Sequence, residues 1–119
     1  MIIVDDQQHI RQSLKALLAS EHELKLTVIA EAANGQDLSK IVQMERPDLI
    51  LMDVRMPIVD GIEAARSIKS QFQSIKIILL SVSPSYKRAA MAAGADLFLA
   101  KGTSPEHLLA AIRELFVIE

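Results

Sequence analysis

The sequence contains no cysteine, no tryptophan and few aromatic residues of any kind. The lack of cysteine excludes disulfides, thiolate metal sites and cysteine nucleophiles. No apolar run approaches the length of about 18 residues that a membrane-spanning helix needs, and neither a signal peptide nor a lipidation motif is present. A net charge of −2 provides no basic surface for nucleic acid. These absences predict a soluble, cytoplasmic protein that contacts neither membrane nor DNA directly.

Five short apolar runs alternate with helical segments along the 119 residues. The apolar runs predict β-strands at 2–4, 27–30, 49–52, 77–80 and 97–100. Asp6 is expected to cap the first helix, and the fourth helix is expected at 85–93, ending before Gly94. This alternation predicts a single α/β domain with helices on both faces of a parallel sheet. The expected fold is flavodoxin-like, a (βα)5 arrangement with strand order 2-1-3-4-5.

Polar residues stand at the carboxyl ends of four of the predicted strands. Asp5 and Asp6 follow the first strand, Asp53 the third, Ser81 the fourth and Lys101 the fifth. Ligands of open parallel sheets bind at this edge, and the expected order places the first and third strands side by side. Three converging carboxylates repel one another unless a cation lies between them. Their oxygens suit Mg²⁺, which is therefore the predicted cofactor.

An ammonium group and a hydroxyl beside such a metal site are suited to phosphoryl transfer. Lys101 and Ser81 supply them, whereas the sequence has no glycine-rich P-loop that would hold a nucleotide. Asp53 is therefore interpreted as the residue that itself accepts the phosphoryl group, as an acyl phosphate. For any one of these aspartates alone, a turn or a helix cap is the alternative interpretation.

Several motifs together resemble the receiver domain of two-component response regulators. They are Val4-Asp5-Asp6, the stretch LMDVRMPIVDG at 51–61, Leu80-Ser81, and Gly94-Ala95-Asp96 followed by Lys101. The resemblance covers essentially the whole chain, so one receiver domain is expected over 1–119, with no output domain in this chain. The segment 99–112 is most similar to receivers that precede a LuxR-type helix-turn-helix, the NarL/FixJ subfamily.

The resemblance implies a role for each residue of the predicted site. Asp53 is the phosphoacceptor and binds Mg²⁺ together with Asp5 and Asp6. The backbone carbonyl of Arg55 is a further metal ligand. Lys101 pairs with the phosphate once it is bound.

Ser81 and Phe98 match the switch residues of the family. The Ser81 hydroxyl moves to the phosphate, and Phe98 then turns inward, which changes the face formed by the fourth helix, fifth strand and fifth helix. A half-buried phenylalanine at this position is also an ordinary core residue, and this alternative stays open.

The implied function is a phosphorylation-activated switch and not an enzyme, with slow loss of its own phosphate at most. A sensor histidine kinase is the expected donor, a second copy of the chain is a candidate partner, and DNA is reached only through an output domain. A stand-alone regulator or phosphorelay adaptor is the alternative. An aspartyl-nucleophile phosphatase is a remote one, because such enzymes have an acid where Arg55 stands.

Two features depart from the family pattern. Gly102 follows Lys101 where the family commonly has a proline after a cis bond. A cis bond before a residue other than proline costs about 2.5–4 kcal/mol, so a trans bond or a rearranged loop is expected. The first strand is also short, which suggests residues missing before Met1.

Overall fold

The central sheet has five parallel strands in the order β2-β1-β3-β4-β5. The computed structural model describes residues 1–116. The strands are β1 (Ile2–Val4), β2 (Ala30–Ala32), β3 (Leu49–Asp53), β4 (Lys76–Ser81) and β5 (Leu97–Ala100). Strand order and parallel pairing confirm the predicted flavodoxin-like α/β fold.

A helix follows each strand, and each of the first four helices carries the chain back to the start of the next parallel strand. The helices are α1 (Gln8–Ala19), α2 (Gly35–Glu45), α3 (Gly61–Gln71), α4 (Lys87–Ala92) and α5 (Pro105–Leu115), with a 3₁₀ turn, Pro84–Tyr86, before α4. Within residues 1–116, none of the helices combines the length and the hydrophobicity that crossing a lipid bilayer requires.

The sheet buries a separate apolar cluster on each of its faces. Alternate residues of a strand point to opposite faces, so Ile50 and Met52 join one cluster and Leu49 and Leu51 join the other. The first cluster includes buried residues of α2, α3 and α4, and the second those of α1 and α5. All five residues of β3 are buried, including Asp53 at its carboxyl end.

The second strand begins later than the sequence predicts. The expected strand at 27–30 is observed at Ala30–Ala32, because β1 has only three residues and its Ile2 pairs with Ala30. Ile29 contributes only a hydrogen bond from its N–H to the carbonyl oxygen of Met1, at 2.9 Å. The β-branched composition of 27–29 predicts a strand, but pairing with β1 decides where the strand forms.

The starts of two helices also differ from the prediction. The prediction that Asp6 caps α1 is wrong, because Gln7 occupies the capping position without a side-chain hydrogen bond. The helix expected at 85–93 is divided into the 3₁₀ turn and the shorter α4, since Ser83 caps a tight turn that opens with Pro84. Gly94 follows α4 with φ of +104°, the left-handed backbone that the predicted helix stop requires.

Candidate functional site

Four strand ends bring their polar residues to one edge of the sheet. Backbone hydrogen bonds extend the sheet at this edge: the Asp5 N–H donates to the Ala32 carbonyl at 3.1 Å, and the Lys101 N–H donates to the Ser81 carbonyl at 2.8 Å. The sheet therefore places these loop residues in register with the strands, as predicted from the sequence.

Lys101 joins the two buried carboxylates of this edge. Its Nζ donates to Oδ2 of Asp53 at 2.7 Å and lies 3.0 Å from Oδ2 of Asp5. The remaining oxygen of Asp53, Oδ1, accepts a long hydrogen bond from the Arg55 N–H at 3.4 Å, and Oδ1 of Asp5 accepts one from the Gln7 N–H at 2.9 Å. Each carboxylate is thus oriented on both sides, which limits its rotation.

Opposing influences act on the pKa of Lys101. Burial lowers it, whereas hydrogen bonds and charge interactions with Asp53 and Asp5 raise it, and the net result lies above the ordinary value of 10.5. The ammonium is therefore charged at neutral pH and provides a fixed positive group beside Asp53.

Asp6 completes an acidic cluster with Asp5 and Asp53. One carboxylate oxygen from each of the three lies within 4.8 Å of those of the others, and Asp6 is exposed while its two neighbours are buried. Lys101 is one positive charge among three negative ones, so the cluster keeps an excess of negative charge. All-oxygen donors with one side open to solvent suit Mg²⁺, which prefers oxygen ligands and retains several waters.

Ser81 is buried at the end of β4 with its hydroxyl engaged in the following turn. The Oγ donates to the Ser83 carbonyl at 3.0 Å and accepts from the Ser83 N–H at 3.1 Å. Phe98 pairs with Leu79 across the β4–β5 ladder and is partly buried against the first apolar cluster. Ser81 is thus the last residue of β4, and Phe98 is the second residue of β5.

The loop after β3 passes close to the backbone of Asp53. The Gly61 N–H donates to the Val54 carbonyl at 2.8 Å, and a Cβ at Gly61 would collide with the carbonyl oxygen of Asp53. Within this loop Ile58 has φ of +71°, unusual for a β-branched residue, and the Val59 N–H donates across it to Pro57 at 2.8 Å. The exposed side chain of Arg55 stands at the rim of the pocket that contains Asp53 and Lys101.

Sequence reasoning missed a side chain that hydrogen-bonds to the backbone of a site residue. Arg11, in the first turns of α1, donates from Nη1 to the carbonyl oxygen of Asp5 at 2.6 Å and from Nε to Glu31 at 3.0 Å. The available signal was the position of Arg11 about one turn after the acidic pair, on a helix that the sequence did predict. A long cationic side chain on a helix normally reaches solvent, so this signal is weak.

Comparison with known proteins identifies the family. A model described as the response regulator receiver domain matches residues 1–113. The transcriptional regulatory protein DegU of Brevibacillus brevis is 33% identical over 115 residues, which cover 95% of this chain and 48% of that protein. The response regulator UvrY of Escherichia coli is 34% identical over 118 residues, covering 98% of this chain and 53% of that protein. The chain thus spans about half the length of these curated relatives.

Solved structures agree with this result. A two-component response regulator of the LuxR family from Aurantimonas sp. superposes with a TM-score of 0.89 at 27% identity, over 96% of this chain and 81% of that chain. A DNA-binding response regulator of the LuxR family from Staphylococcus aureus gives a TM-score of 0.87 at 27% identity, over 96% of this chain and 95% of that chain. The predicted likeness to LuxR-type regulators is confirmed. Because the family model covers nearly the whole chain, the protein belongs to the family of response regulator receiver domains.

Proposed function

We propose that this receiver domain is a switch activated by transfer of a phosphoryl group from a histidine kinase to Asp53. The observation that carries the proposal is the contact of Lys101 with Asp53 and Asp5, at 2.7 and 3.0 Å, beside the exposed carboxylate of Asp6. An ammonium held against a buried carboxylate, next to a candidate metal site at the surface, is an arrangement suited to stabilising phosphoryl oxygens.

The transfer is a displacement at phosphorus. An oxygen of Asp53 forms the new P–O bond while the P–N bond to the kinase histidine breaks, and the imidazole nitrogen leaves with that electron pair and takes a proton from water. Lys101 donates to a phosphoryl oxygen, since its ammonium already lies at hydrogen-bond distance from Asp53. Asp5, Asp6, Asp53 and the backbone carbonyl of Arg55 would hold Mg²⁺. The metal, when bound, neutralises negative charge on the phosphoryl group.

Phosphorylation then changes the charge beside the switch residues, Ser81 and Phe98. The acyl phosphate presents more negative charge and three acceptor oxygens in place of one carboxylate. Ser81 exchanges its two hydrogen bonds with Ser83 for one charge-assisted bond to the phosphate, and Phe98 moves inward into the space that is vacated. Because Phe98 belongs to β5, this movement alters the surface formed by α4, β5 and α5.

The output proposed for this switch is transcription regulation in the cytoplasm. The relatives DegU and UvrY are named as a transcriptional regulatory protein and a response regulator, and each is about twice as long as this chain. A helix-turn-helix domain beyond the receiver would contact DNA, and the receiver would act without catalysing turnover of a substrate. The receiver is proposed to extend over 1–119, of which 117–119 lie outside the described residues.

The test is phosphorylation by a small phosphodonor. The protein is incubated with acetyl phosphate and Mg²⁺, and its intact mass is measured. We expect the wild type to gain one phosphoryl group and Asp53→Asn to gain none. Asp48→Asn is the matched control, because Asp48 is an exposed aspartate just before the other end of β3. Equal labelling of Asp53→Asn and wild type excludes Asp53 as the acceptor.

A further inference from the structure

Arg11 connects the acidic pair to the neighbouring strand. Its Nη1 donates to the carbonyl oxygen of Asp5 at 2.6 Å, while its Nε donates to Oε1 of Glu31 in β2 at 3.0 Å. The other oxygen of Glu31, Oε2, accepts from Nζ of Lys15 at 2.8 Å, one turn further along α1. The Arg11 side chain is only 16% exposed, whereas those of Glu31 and Lys15 are 27% and 39% exposed, so Arg11 is the member of this network that is least accessible to solvent.

We propose that Arg11 is a positioning residue, which holds the turn at Asp5 and Asp6 in the geometry that binds Mg²⁺. The inference rests on the proposed function, in which these carboxylates are metal ligands. Arg11 does not contact the metal site itself. It donates a hydrogen bond to the backbone carbonyl of Asp5, whose carboxylate is one proposed ligand and which directly precedes the other, Asp6.

The backbone around Asp5 explains why one hydrogen bond matters there. Asp5 lies beyond the last residue of β1, and its N–H is held by the Ala32 carbonyl. Its carbonyl lies outside both β1 and α1, and it accepts the hydrogen bond from Arg11. Loss of that bond lets the peptide between Asp5 and Asp6 rotate, and this peptide sets the directions of both side chains. Mg²⁺ demands nearly ideal octahedral geometry, so small changes in ligand direction reduce its affinity.

The charge of Arg11, considered alone, predicts the opposite change in Mg²⁺ affinity. The direction of the measured change therefore tests the inference. The guanidinium of Arg11 is a positive charge close to a cation site, so removing it would tighten Mg²⁺ binding if only the electrostatic field mattered. Removing a positioning contact weakens binding instead, by about 10- to 100-fold for groups that orient metal ligands. The two effects therefore shift the dissociation constant in opposite directions.

The experiment measures Mg²⁺ binding to the unphosphorylated protein by isothermal titration calorimetry, for wild type, Arg11→Gln, Arg11→Lys and Lys15→Met. We expect Arg11→Gln to bind at least about tenfold more weakly. Arg11→Lys keeps the charge but not the fork that reaches two acceptors, so it also binds more weakly than wild type. Lys15→Met is the matched control, since it removes one positive charge from the same network without touching Asp5, and it binds as tightly as wild type or tighter.

A second measurement separates positioning from general damage to the fold. The rate of labelling by acetyl phosphate is followed against Mg²⁺ concentration, and Arg11→Gln should need more Mg²⁺ for half the maximal rate yet approach the wild-type rate at saturation. Urea denaturation without metal establishes that each variant is folded. If Arg11→Gln does not fold, the weaker binding of Arg11→Lys carries the test.

Two outcomes overturn the inference: unchanged or tighter Mg²⁺ binding by Arg11→Gln, or, if that variant does not fold, wild-type binding by Arg11→Lys. Failure of the proposed function looks different, because then the wild type itself shows no Mg²⁺ binding, or Asp53→Asn is labelled as well as the wild type. If the wild type binds Mg²⁺ and the Arg11 variants bind it equally well, only the proposed positioning role of Arg11 is excluded.

Discussion

At the scale of single residues, the site depends on Gly61 as well as on its charged groups. The start of α3 packs directly against the backbone of Asp53, at a distance that leaves no space for a Cβ. This close approach places the β3–α3 loop, which includes Arg55, beside the acidic cluster. The sequence identifies Asp60-Gly61 only as a turn into a helix, because a glycine there does not reveal which backbone it approaches.

Gly61→Ala is expected to destabilise the protein by about 1–3 kcal/mol, the usual cost of forcing an added methyl group into a packed site. The collision is with backbone, which cannot move aside as a flexible side chain would. The free energy of unfolding in urea gives the measurement. Gly102→Ala is the matched control, since a Cβ there meets nothing within 4 Å. Equal stability of the two variants would show that the contact at Gly61 is relaxed in solution.

The charged residues of the site were predictable because each follows an apolar run. Asp5, Asp53 and Lys101 stand where predicted strands end, and parallel strands end at one edge. The contact of Arg11 with the Asp5 carbonyl was not predictable in this way. It depends on the rotation of α1 relative to β1 and β2, which the side-chain pattern of a single helix does not determine.

At the scale of secondary structure elements, Glu31 joins α1 to β2. Hydrogen bonding from Lys15 is the main reason that the pKa of Glu31 lies below its ordinary value of 4.5, with Arg11 acting in the same direction and burial opposing both. A lowered pKa in the folded state means that the unfolded chain takes up a proton at higher pH. The ion pairs therefore contribute stability above the ordinary pKa of glutamate, and that contribution is lost as the pH falls through the lowered value.

Glu31→Gln is expected to be less stable than wild type at neutral pH, because Arg11 and Lys15 lose their anionic partner. The difference should shrink on acidification and be smallest below the lowered pKa of Glu31. Urea denaturation over a pH series measures it. Glu45→Gln, at the exposed end of α2, serves as the control and should follow the wild-type curve. If the difference in the free energy of unfolding between Glu31→Gln and wild type does not change with pH, the ion pairs of Glu31 are not its cause.

The elements themselves were predicted unevenly. Strands β1, β3 and β4 were predicted to within a residue of their ends because each is a continuous apolar run that is almost wholly buried. The prediction also held for β5, an apolar run of partly exposed residues at one edge of the sheet. For β2, at the other edge, the pattern failed, since only the three residues of β1 pair with it and determine its extent. For α4 the pattern could not separate the 3₁₀ turn from the helix, because Pro84 and the cap at Ser83 act over a single turn.

At the scale of the whole molecule, the acidic cluster lowers the stability of the fold while it supplies the proposed metal ligands. Three carboxylates lie together at one end of the sheet, and the Lys101 ammonium forms ion pairs with two of them, those of Asp5 and Asp53. Asp6 adds negative charge to this end without an ion pair among the described residues. Proteins commonly carry such locally unfavourable groups where function needs them.

Asp6→Asn is therefore expected to raise the thermal midpoint of the metal-free protein, because it relieves repulsion among the carboxylates. Added Mg²⁺ should reverse the order of the two midpoints, since a ligand that binds only the folded state stabilises it more the more tightly it binds, and the variant has lost a metal ligand. Thermal unfolding with and without MgCl₂, at ionic strength matched with NaCl, measures both effects.

Glu45→Gln removes a negative charge far from the site and should keep the full response to Mg²⁺. A lower metal-free midpoint for Asp6→Asn would mean that the structural contribution of Asp6 outweighs the repulsion. An undiminished response to Mg²⁺ would instead mean that the metal binds without it.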